Sequence, residues 1–118
     1  MTQPVQRFTK RERAQLRELA GAAWEAELEA ELEKLFEVFL KWADSGIGAF
    51  DLSDKIHEFH NGISRELYSR HTGLDPEITV PRAIALGILG EGELDEVLSQ
   101  KLSPQIEAYR TRLANEDE

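Results

Sequence analysis

A chain of 118 residues fits one domain and is long enough to bury a modest core without metal or disulfide staples. It has no cysteine, which closes off disulfides and thiolate metal sites, and its 23 acidic against 14 basic side chains give a net charge of −9, opposing nonspecific attraction to nucleic acid or an anionic membrane. Nowhere do eighteen apolar residues follow one another, and Met1 to Lys10 holds no apolar run of signal-peptide length, so a soluble, cytoplasmic protein without a membrane segment is expected.

The first predicted element is a long amphipathic helix from Lys10 to Ala43. Thr9 and Glu12 fit the S/T-x-x-E capping pattern, and Gly46 and Gly48 supply the stop. Such a run would reach about 50 Å, beyond the about 35 Å diameter of a compact domain of this size. Either it breaks near Gly21 or part of it packs on another chain. Downstream, Leu28, Leu32, Leu35, Phe36, Phe39, Trp42 and Ala43 share one face and read as the core side. Upstream, Leu16, Leu19, Ala20, Ala23 and Trp24 form a second stripe offset by about a third of a turn. That offset implies supercoiling, a bend at Gly21, or different partners for the two halves. Continuity through Gly21 is predicted, because its cost relative to alanine is only about 1 kcal/mol and alanines flank it. The upstream stripe is then the expected contact for self-association.

Charge is uneven along this helix. Arg7, Lys10, Arg11, Arg13 and Arg17 face a single acid, Glu12, whereas Glu25, Glu27, Glu29, Glu31, Glu33 and Glu37 face Lys34 alone. A solvated surface accounts for such runs. Antiparallel pairing of two copies, basic end against acidic middle, is the sharper expectation and would set orientation more than affinity.

A second helix is predicted from about Leu52 to His71, with Asp51 or Ser53 as cap and Gly73 just past its end. Leu52, Ile56, Phe59, Ile63 and Leu67 make its core seam, and His57, His60, Asn61, Ser64, Tyr68 and His71 make an uncharged polar wedge about 100° wide. Asp75-Pro76 caps a helical turn, Thr79 and Pro81 start a short helix through Leu89, and Gly87, Gly90 and Gly92 end it. A last helical region begins near Glu93, with Leu94, Val97, Leu98, Leu102, Ile106, Tyr109 and Leu113 on one stripe; Pro104 predicts a kink, or a restart capped by Ser103. Residues about 1–8 and 114–118 are expected to fray.

No pattern specifies a reaction. His57 and His60 could converge on one metal ion with Asp54 a turn back, yet His57-Glu58-Phe59-His60 is one residue short of H-E-x-x-H and only one Asp-x-x-His pair exists. Ser64 and His60 lie one turn apart with no orienting acid. The Gly87 to Gly92 run lacks the lysine of a phosphate loop; the basic segment Arg7 to Arg17 could touch phosphates, but the second helix, with Asp54, Glu58 and Glu66 among Lys55, Arg65 and Arg70, offers no positive face of a DNA reader. The expectation is an all-α, single-domain bundle of about four helices. Its expected role is non-enzymatic: a self-associating assembly module working through the first helix, with no catalytic, cofactor or metal residues assigned. The alternative is a metal-binding helical protein using His57 and His60, with His71 on the same wedge.

Overall fold

The computed structural model describes residues 8–116, and within them every regular element is helical. Helix α1 spans Lys10–Ala43, α2 Ala49–Phe59, α3 Arg65–Gly73, α4 Pro76–Ala85 and α5 Glu96–Glu116. A π turn, His60–Ser64, joins α2 to α3 without a break, and a 3-10 turn, Glu91–Glu93, precedes α5. With α2 and α3 counted as one rod, the described residues form the four helices that the periodicity predicts. The expectations for residues 1–7, including Arg7, and for 117–118 lie outside the described residues.

Contacts cluster into two compact units. The first holds residues up to Ala23 together with Leu74 onward, and the second runs from Trp24 to Gly73. Helix α1 is continuous through Gly21, so its two halves serve two cores.

In the first unit, Leu16 and Ala23 of α1 are 1% and 0% exposed and join Phe8, Val80, Ala83, Ile84, Leu89, Leu94, Leu98, Leu102 and Ile106 in one apolar cluster. Leu19 and Ala20 pack against it. This corrects the expectation for the upstream stripe: Leu16 and Ala23 are intramolecular core, and Leu19 is half-buried against it. Thr9 and Glu12 form the reciprocal cap, Glu12 N–H donating to Thr9 Oγ1 at 3.1 Å and Thr9 N–H to Glu12 Oε1 at 2.9 Å. Helix α4 starts at Pro76, earlier than Thr79 and Pro81 suggest, because Asp75 accepts from Glu77 N–H and Pro76 is already set for a first turn. Its end is a Schellman turn about Gly87 (φ 78°), with Gly87 and Ile88 N–H reaching Ile84 and Ala83 carbonyls. Helix α5 is continuous through Pro104, with no restart at Ser103. Asp95 caps it through Leu98 N–H at 2.8 Å, and Leu102 and Ile106 are buried on either side of the proline.

In the second unit the chain folds into a helical hairpin. Its turn is again a Schellman arrangement, with Ser45 (φ 63°) rather than a glycine in the left-handed position and Gly46 N–H on Lys41 O at 2.7 Å. The second rod begins at Ala49 behind Gly48, three residues before Leu52, so neither Asp51 nor Ser53 is its cap. Leu52 and Leu67 are buried, while Phe59 and Ile63 are half-buried beside Leu35 and Val38 along an open groove of about 340 Å³.

Candidate functional site

The polar wedge of the second rod does not survive as one surface. A π turn accommodates one extra residue, rotating everything after it by about 100° relative to an unbroken helix. Asn61-Gly62, two poor helix formers, lie inside that turn. His57, His60, Asn61 and Tyr68 are exposed, Ser64 is half-buried, and His71 is carried round to the inner side of the hairpin with its side chain 2% exposed.

His71 is sealed there in a built cluster. Its ring lies parallel to that of Trp24 at 5.6 Å, and Tyr68 meets Trp24 edge-on at 5.9 Å. Nε2 donates to Glu27 Oε1 at 2.9 Å, while Arg70 bridges Glu27 Oε2 at 3.1 Å and Glu66 Oε1 at 3.0 Å. Nδ1 is buried with no hydrogen-bond partner among the described residues. A group so enclosed cannot meet a substrate, and the cluster instead ties the end of α3 to α1.

His57 and His60 gather no ligand set: among the described residues no three His, Cys, Asp or Glu side chains converge as metal ligands. His60, Ser64, Arg65 and Tyr68 border a hollow of about 300 Å³, and none of these four is an acid that could orient His60 against Ser64.

What the hairpin does present is apolar surface. Leu32 (44% exposed), Phe36 (60%), Phe39 and Leu40 lie in the open on α1, with Ile56 on α2 and Tyr68 on α3. The expected core face of α1 is therefore only partly core. It divides into two seams about a quarter turn apart at 100° per residue. Trp24, Leu28, Leu35 and Val38 are half-buried on the side facing the second rod, and Leu32, Phe36, Phe39 and Ala43 are exposed. The steps within the two seams are of three, four and, from Leu28 to Leu35, seven residues, the spacings of a bundle contact. Hydropathy could show that both were apolar; which one the chain covers for itself depends on tertiary partners.

No family model, no curated protein and no solved structure matches the chain. No helix among the described residues is long and apolar enough to cross a membrane.

Proposed function

We propose that this chain is a non-enzymatic helical assembly module that self-associates through the downstream half of α1. The observation that carries the reading is the uncovered Leu32, Phe36, Phe39 and Leu40 stripe beside Ile56 and Tyr68. At about 150–250 Å² for a large side chain, these six leave on the order of 600 Å² of apolar surface, the upper end of what monomers leave uncovered. With its polar rim the face approaches the about 800 Å² per partner of a standard interface. A helix with two seams at a quarter turn also suits a four-helix bundle, where each helix touches two neighbours; one hairpin supplies half of such a bundle.

Sedimentation equilibrium from 1 to 100 µM is the test, with a dimer or larger species expected for the wild type. Phe36→Glu should give a monomer with unchanged helical circular dichroism, since the side chain is not part of the protomer core. A wild type that stays monomeric across this range would overturn the proposal.

A further inference from the structure

The two rims of the exposed hairpin face carry opposite chemistry. Glu25, Glu29, Glu33 and Glu37 follow one another every fourth residue along α1, just beyond the exposed seam, and all are exposed. His57, His60 and Arg65 occupy the corresponding rim of the second rod and are exposed as well. Among the described residues none of these seven takes part in an ion pair. In a protein of net charge −9, a row of free glutamates opposite a row of free cationic and imidazole groups marks a contact whose counter-charges come from elsewhere.

Both rims flank the same face. The groove lined by Lys34, Lys55 and Glu58 lies on one side of the hairpin. Helical phase turns Leu32, Phe36 and Phe39 on α1, and Ile56 and His60 on the second rod, to the opposite side. A second copy stacked on that side can be related by a two-fold axis perpendicular to the helices or parallel to them. The perpendicular axis lays α1 on α1 and brings glutamate row against glutamate row. The parallel axis lays α1 of each copy antiparallel on the α2–α3 rod of the other, and each glutamate row then meets imidazoles and guanidinium.

We infer that the occupant of this face is a second copy of the chain in the latter arrangement, a four-helix bundle in which α1 is covered by the other copy's α2–α3 rod; this rests on the self-association proposed above. The register follows from the hairpin. Glu31 and Leu35 border the same groove as Ile63 and Phe59, and Trp24 meets Tyr68 and His71, so four residues down α1 match four residues up the other rod. A two-fold parallel to the helices preserves height. Glu29 therefore stands level with Arg65 of the second copy, Glu33 with its His60, and Glu37 with its His57. Because the interface is isologous, every pair occurs twice.

The experiment uses the full chain in three forms: Glu29→Arg, Arg65→Glu and the double variant, with folding checked by circular dichroism. Each single variant sets like charges against each other at both ends of its own dimer and should raise the dimer dissociation constant by on the order of tenfold at low salt, less at high salt. The double variant should recover to within about threefold of wild type. The decisive arm is mixing. An Arg65→Glu chain and a Glu29→Arg chain are complementary at both pairs, so fluorescence energy transfer between labelled single variants should show heterodimers forming in preference to either homodimer. Random or absent pairing in the mixture, with the wild type still dimeric, overturns this arrangement and leaves self-association standing. A monomeric wild type removes both.

Discussion

The carboxylate of Glu12 sits 2.7 Å from the Lys101 ammonium and accepts the Thr9 N–H. These contacts, the lysine's first, hold its pKa below the ordinary value. Asp95 is held low in the same way by the Leu98 N–H and then by the Gln15 side chain at 3.1 Å. Below about pH 5 the unfolded chain therefore binds more protons than the folded one. The stability these groups contribute is present above the unfolded values and disappears as pH falls through the depressed folded ones. Thermal melts from pH 5 to pH 3 should show a smaller loss for a Glu12→Gln, Asp95→Asn double variant than for the wild type; parallel losses would remove both contacts from the acid response. The Thr9–Glu12 cap was legible in the sequence because it is written within four consecutive residues. The Lys101 contact and the sealed His71–Glu27 pair were not, since each joins positions far apart in the chain.

At the scale of elements, the extent of α1 could be read from periodicity and caps, and Lys10 to Ala43 is where it lies. Its partners could not be read: both stripes are apolar, and only the tertiary structure assigns Leu16 and Ala23 to a core while leaving Leu32 and Phe36 uncovered. Leu16→Ala should accordingly cost about 2–5 kcal/mol, whereas Leu32→Ala should cost well under 1 kcal/mol in a dilute, monomeric sample, as denaturant titration can check. Gly21 and Ser45 give the backbone counterpart. A Cβ at Gly21 meets nothing within 4 Å, so Gly21→Ala should stabilise α1 by about 0.5–1 kcal/mol. Ser45 holds a positive φ that glycine adopts without strain, so Ser45→Gly should stabilise the hairpin turn by about 1 kcal/mol. The π turn at His60–Ser64 had no sequence signal beyond Asn61-Gly62, and it is what divides the histidines into two exposed ones and one buried one.

At the scale of the whole molecule, one helix feeds two compact units of different self-sufficiency. Residues 74–116 with Phe8 and the first turns of α1 enclose a cluster of buried apolar side chains, while residues 24–73 bury fewer and leave Leu32, Phe36, Ile56 and Tyr68 in solvent. Local opening free energies track buried apolar contact, so amides of the hairpin should exchange through cheaper openings than those of α4 and α5. Self-association adds a term only to elements the second copy covers. That term grows with protein concentration by about 0.7 kcal/mol for each tenfold rise above the dissociation constant, because free protomer increases only as the square root of the total. Hydrogen exchange followed by mass spectrometry at 1 and 100 µM should therefore show protection rising with concentration in α2, α3 and the downstream half of α1, and unchanged in α4, α5 and the upstream half. Equal gains along the entire chain would mean that association stabilises both units together, and gains confined to α4 and α5 would place the contact on the unit whose apolar surface is already buried, contradicting the assignment of the hairpin face as the interface.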